Sequence, residues 1–230
     1  PGITPSLSLR QIIRQRRSAR AMDGRVSIDR DAFYKILRKT VPRPGQFPFN
    51  TLPWKPWVHL VLFVHRVRDL APGLYALVRG PDHVDVLCSA MSDEFLWERP
   101  RSCPPGLALY RLARGNMQAL ARQLSCQQEI ASDGCFSLGM IAAFEEPLQR
   151  FGPWFYRRLY WECGAIGQVL YLEAEVAGMR GTGIGCFFDE PVHRLLGLET
   201  LRYQSLYHFT VGRPIRDTRL TTLPAYPAPS

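Results

Sequence analysis

Ser8, with Gln11 three residues on, precedes an apolar stripe at Leu9, Ile12 and Ile13, which predicts an N-capped amphipathic helix opening the chain. Ser27 reads as the cap of a second helix with Ile28, Ala32, Phe33, Ile36 and Leu37 on one face. Between residues 41 and 57, Pro42, Pro44, Pro48, Pro53 and Pro56 remove amide donors and fix the backbone, so no regular element is expected there. Residues 58–65 are an apolar run of strand length. The Pro72-Gly73 turn then leads into a strand at 74–78, and short strands are predicted at 84–88 and 106–112.

A helix follows over 116–132, then a turn at Asp133-Gly134 and an apolar strand at 135–144. Leu159, Cys163, Ile166, Leu170 and Ala174 recur at helical spacing and predict a long helix over 153–177, closed by Gly178. A short strand or turn at 182–188, a helix at 191–196 and a strand at 205–211 complete the order. Strands and helices alternate without repeats or an evident linker, so residues 1–230 are expected to form one α+β domain. The chain opens on Pro1 rather than Met and is read as a processed or excised piece.

Composition changes this picture little: 46% hydrophobic and 21% charged residues exclude a disordered chain, and no apolar run reaches the ~18 residues of a membrane helix. Charge changes it more. Of the net +9, residues 1–43 carry eleven basic against three acidic residues, a net of +8, and the remainder carries +1. That basic block predicts an anion-binding surface, for a nucleic acid, an acidic lipid or the phosphate of a small cofactor.

Within it, Arg16-Arg17-Ser18-Ala19-Arg20 sets guanidinium forks beside a hydroxyl, a set suited to phosphate oxygens, although a solvated helix end would look the same. Gly181-Thr182-Gly183-Ile184-Gly185-Cys186 follows a helix and lacks Rossmann spacing, because Phe188 stands where the third glycine belongs. Its glycines admit close approach of backbone N–H groups to a flat ligand, or simply form a turn. No Gly-x-Ser-x-Gly, Walker or His-Glu-x-x-His sequence occurs. His59, His65, His83, His193 and His208 read as surface or hydrogen-bonded core residues, and Glu162 as a partner of Arg157 or Arg158. The six cysteines form no Cys-x-x-Cys or zinc spacing, so no metal is expected, and they read as reduced core residues of a cytoplasmic protein. Trp54-Lys55-Pro56-Trp57 and Trp154-Phe155-Tyr156 could fill the core or stack on a planar ligand.

Taken in order, Arg-Arg-Ser-x-Arg at 16–20, Val58-His-Leu-Val-Leu-Phe-Val64, Leu70-Ala-Pro-Gly-Leu-Tyr75, the run from Phe151 to Gly164, Gly183-Ile-Gly-Cys-Phe-Phe-Asp189 and Tyr207-His-Phe-Thr-Val-Gly212 resemble the nitroreductase superfamily. The likeness runs from about Leu9 to Pro224 and is nearest to the SagB-type, azoline-oxidase-like branch. It implies a nitroreductase-like α/β sandwich with a central mixed, largely antiparallel sheet flanked by helices, binding FMN as a homodimer. It further implies that Arg16, Arg17, Ser18 and Arg20 hold the FMN phosphate and its neighbourhood, and that Gly183, Ile184, Gly185 and Cys186 lie beside the flavin ring. Asn50 in the Pro-rich loop is the implied loop contact. Arg213 or Arg216 stands in for basic residues that relatives place where Ala225, Tyr226 and Pro227 occur here. The catalytic Lys–Tyr pair of azoline oxidases maps nearest to Tyr156 and Arg157, the lysine being absent, and Gln168 matches a recurrent polar position.

The function so implied is FMN-dependent oxidoreduction between a reduced donor such as NAD(P)H and a small-molecule or peptide substrate. The competing expectation is a catalytically degenerate flavin-fold domain acting as a scaffold. A nucleic-acid role has only the basic block behind it and no accompanying motif, and a membrane role lacks a span.

Overall fold

The computed structural model describes residues 8–221 and Leu223; Ala225, Tyr226 and Pro227 lie outside the described residues. The elements are α1 (Leu9–Gln15), α2 (Arg30–Thr40), β1 (Val58–Val64), β2 (Gly73–Leu77), α3 (Val84–Cys88), β3 (Leu109–Arg114), α4 (Gln118–Leu124), α5 (Ile130–Asp133), β4 (Phe136–Ala143), α6 (Glu145–Phe151), α7 (Tyr156–Val176), β5 (Arg180–Ile184), α8 (Asp189–Leu196) and β6 (Tyr203–Gly212). The strands form one sheet in the order β3-β2-β1-β4-β6-β5, antiparallel at every pairing of these strands. Among the described residues the parallel component is one isolated bridge, Ile28 to Val67.

Alternation along β6 sorts the helices onto two faces. Phe209 packs edge-on to Tyr171 of α7 at 4.8 Å, while His208 and Thr210 point the other way, to Ser125 after α4 and the Ile130 carbonyl of α5. α2 shares the α7 face, with Phe33 set edge-on to Phe136 at 5.0 Å. β1, β4 and most of β6 are buried on both faces, which is why they read as continuous apolar runs.

The capping box at Ser8 and Gln11 forms as predicted. α2 is capped by Asp29, not Ser27: the Asp29 carboxylate accepts from the Asp31 N–H at 2.9 Å. Residues 84–88 are helical because Pro81 opens a 3-10 turn that runs directly into them. The helix predicted over 116–132 divides at Cys126 and Gln127, which both take positive φ. α7 buries the whole predicted stripe together with Glu162 and Gly167, and Gly178 at φ +68° turns the chain out of it.

Glu162 pairs with neither Arg157 nor Arg158. Its carboxylate meets the guanidinium of Arg79, both side chains being fully buried, and accepts the backbone N–H groups of Trp57 at 3.1 Å and Val58 at 3.3 Å. Arg79 also donates to the carbonyls of Thr40 and Val58, each at 2.7 Å. This network ties the Pro-rich segment and α7 to the start of β1.

Candidate functional site

α1 ends at Arg16, which turns extended, and the chain then runs beside the sheet edge strand β5. The Ala19 N–H donates to Gly181 O at 3.4 Å and the Thr182 hydroxyl to Ala19 O at 2.8 Å. On its other side the segment bonds the chain leaving β6, through Asp23 N–H to Arg213 O at 2.8 Å and Ile215 N–H to Ala21 O at 3.0 Å. Buried Ile12 and Ala19 anchor the segment, which leaves Arg17, Ser18 and Arg20 facing outward.

There they line a cavity of about 780 Å³ shared with Arg180, Arg216 and Asp217. Its charge balance favours an anion. Glu175 is committed to Arg180, to the Arg17 N–H and to Gln15. Asp217 is committed to Arg219, whose hydrogen bonds hold its carboxyl below the usual carboxylate range. Arg20 and Arg216 have no carboxylate within ion-pair distance among the described residues.

The glycine-rich segment does not line this cavity; it is tied to Ser18, which does, through one side chain the sequence reading missed. The Tyr171 hydroxyl lies 2.9 Å from Ser18 Oγ and accepts the Gly183 N–H at 2.9 Å, while the Arg16 guanidinium covers the Tyr171 ring at 4.7 Å. Thus Arg16, Ser18 and Gly183 do converge, and they converge on a phenol. The only sequence signal for Tyr171 was its helical spacing from Gly164 and Gln168, with which it lines a groove of about 230 Å³. A Cβ added at Gly183 would strike the Tyr207 hydroxyl, whereas Gly185 faces open space.

The other expected residues fall apart from this centre. Arg213 donates to the Gly178 carbonyl behind α7 at 3.1 Å, leaving Arg216 as the cavity cation from that stretch. Asn50 is exposed on the 3-10 turn Phe49–Thr51, its N–H bonded to Gln46 O. Tyr156 and Arg157 are exposed at the start of α7, fifteen residues or about 22 Å of helix from Tyr171. Tyr156 hydrogen-bonds Tyr160 at 3.1 Å, and burial with that bond pushes the Tyr160 hydroxyl up to about 12.

Cys186 corrects the expectation of six reduced cysteines. It is disulfide-bonded to Cys126, and Cys88, Cys103, Cys135 and Cys163 are free. The positive φ at Cys126 and the Phe188 N–H bond to Leu124 O bring the two backbones to a Cα separation of 5.8 Å, a distance a disulfide spans. Cys186 therefore has no thiol to offer a ligand, and its carbonyl accepts from Gln128 at 3.0 Å.

Over residues 13–213 the sequence matches the Nitroreductase family. The chain belongs to the nitroreductase family. Solved structures share its fold at low identity. A structure from Anabaena variabilis assigned to the nitroreductases aligns at TM-score 0.67 and 22% identity, covering 90% of this chain and 38% of that one. The E. coli microcin synthetase McbBCD complex, solved with truncated pro-MccB17 bound, aligns at 0.61 and 18%, covering 94% and 76%. NADPH:FMN oxidoreductase from Vibrio harveyi, in complex with NAD+, aligns at 0.51 and 15%, covering 94% and 74%. No curated protein matches the sequence. No helix among the described residues is long and apolar enough to cross a membrane, and no three His, Cys, Asp or Glu residues are grouped to hold a metal.

Proposed function

We propose that this nitroreductase-family chain is an FMN-dependent oxidoreductase moving hydride or electrons between a reduced donor of the NAD(P)H class and an organic acceptor. The observation that carries the reading is the arginine-lined cavity formed by Arg17, Ser18, Arg20 and Arg216 at the Arg180 end of β5. Its residues fit the phosphate end of FMN: donors exceed acceptors, and Arg20 and Arg216 have no carboxylate within ion-pair distance among the described residues. When bound, FMN supplies the redox chemistry. The chain's own part is to grip the dianion and to offer a backbone donor to a ring edge that gains negative charge on reduction. The Gly183 N–H would be that donor; here it is bonded to the Tyr171 hydroxyl.

The Tyr171 contacts favour one second reading, a domain in which the phenol permanently fills the ring site and the fold serves as a scaffold. The absorption spectrum of purified protein, followed by titration with FMN, separates the two. Flavin bands, or quenching of FMN fluorescence with thermal stabilisation, support the enzyme; a colourless protein indifferent to FMN removes it. FMN binding without turnover against nicotinamide donors and quinone, nitroaromatic or peptide acceptors leaves the scaffold.

The ordered motifs and the likeness to the McbBCD complex support a peptide-type acceptor and the SagB-type branch. Tyr156 and Arg157 are then the acceptor-side pair: Tyr156→Phe is expected to lower turnover and leave FMN affinity unchanged, and full turnover in that variant removes the pair. A second copy of the chain is the proposed partner, checked by sedimentation equilibrium.

A further inference from the structure

The two aromatic clusters of the sequence, around residues 54–57 and 154–156, come together in the fold. Trp54 meets Phe155 edge-on at 5.9 Å, and the clusters enclose a cavity of about 440 Å³ with Trp57 and Trp154 among its walls. That volume lies in the range of small-molecule sites, roughly 300–1,000 Å³. All charge on the lining is positive: Lys55, Arg150 and Arg158, with no Asp or Glu.

These cations are held by ring faces. The Arg158 guanidinium lies over Trp161 at 4.4 Å, Trp54 at 5.0 Å and Trp154 at 5.4 Å; Arg150 lies over Phe151 at 5.1 Å. Lys55 sits over Trp57 at 4.2 Å, with exposed Glu146 at 3.5 Å. Stacking uses the flat face of a guanidinium and leaves its in-plane N–H fork for an acceptor. Neither arginine has a carboxylate partner among the described residues. Nε1 of Trp54 and Trp57 and Nε of Arg158 are buried without a hydrogen-bond partner among the described residues, and lie behind the lining surface, not on it. The groups that face a ligand are therefore the cations, and a lining of this charge is matched by a ligand that brings an anionic acceptor.

We propose that this cavity is a second ligand site, for a planar aromatic carboxylate of one or two fused rings. The ring packs among the indoles and the carboxylate meets the forks of Arg158 and Arg150. Arg158 precedes Tyr171 by thirteen residues, about 20 Å along α7, so the site is separate from the FMN cavity and does not depend on that reading.

The test titrates the purified full chain with 2-naphthoate, following tryptophan fluorescence, against its neutral analogue 2-naphthylmethanol. Saturable quenching is expected, at least tenfold tighter for the carboxylate. Trp154→Ala and Arg150→Gln change exposed side chains and Arg158→Gln the stacked one; each is expected to weaken naphthoate at least tenfold, with circular dichroism unchanged in the two exposed-site variants. No saturable quenching, equal affinity for the neutral analogue, unchanged affinity in the exposed-site variants, or displacement of naphthoate by FMN would each overturn the site. A chain that takes up no FMN but binds naphthoate in this pattern leaves the inference standing while removing the proposed function.

Discussion

Arg79 and Glu162 are the residues on which the α7 face depends most for polar order, since each is almost wholly buried and each satisfies backbone groups of the other's neighbourhood. Removing one partner leaves a bare charge in the interior, so Glu162→Ala is expected to cost about 3–5 kcal/mol in denaturant titration. The double variant Arg79→Met with Glu162→Leu is expected to recover most of that loss. Tyr171 poses the opposite case, because its hydroxyl occupies donors that the proposed cofactor needs. Tyr171→Phe removes those bonds, each worth about 1 kcal/mol, and is expected to tighten FMN by about fivefold or more in a fluorescence titration. Weaker binding would make the phenol part of the cofactor's surface instead. Neither pairing was legible in the sequence: 83 positions separate Arg79 from Glu162 and 153 separate Ser18 from Tyr171, and local periodicity carries no information across such spans.

At the scale of elements, the sequence was most legible where burial is one-sided or complete over many residues. The stripe from Leu159 to Ala174 and the run Val58–Val64 fall where periodicity put them. Val84 to Cys88 failed because five residues of mixed polarity cannot distinguish a strand from a single helical turn, and the neighbouring Pro81 decides it. No element was predicted over Glu145–Phe151, where α6 forms; its Pro147 occupies the first turn, where the missing N–H costs nothing. Of the expected phosphate residues, Arg17, Ser18 and Arg20 share a cavity, whereas Cys186, expected beside the flavin ring, is bound to Cys126. That bond closes a loop of 60 residues between the end of α4 and the segment following β5. Chain-entropy reasoning assigns such a loop about 4 kcal/mol, so Cys126→Ser is expected to lower unfolding stability by up to that amount, with no further loss on adding reductant.

For the molecule as a whole, stability is expected to depend on pH through histidines buried on the α4 and α5 face of the sheet. Burial holds His65 and His208 down to about 4, and burial together with the His83 and Arg79 charges holds His59 well below its ordinary value. The Arg79 N–H donates to His59 Nδ1, so His59 carries its proton on Nε2, toward His83 Nδ1 at 3.2 Å. The unfolded chain takes up these protons below about pH 6.5 and the folded one does not. Their contribution is therefore complete above pH 6.5 and is lost on acidification toward pH 4, at about 1.4 kcal/mol per pH unit for each group. Equilibrium denaturation between pH 7 and 4.5 checks this, and a flat profile would contradict it.

The order β3-β2-β1-β4-β6-β5 also sets a timetable. β4, buried along its full length, has β1 as an early partner, but its other flank waits for β6, whose pairing spans Phe136 to Val211. On the ribosome, the middle of the sheet thus stands as a long apolar rim until residue 212 has emerged, a template for pairing with another nascent chain. Fragments ending between α8 and β6 should accordingly collect in inclusion bodies, whereas chains carried through Gly212 remain dispersed.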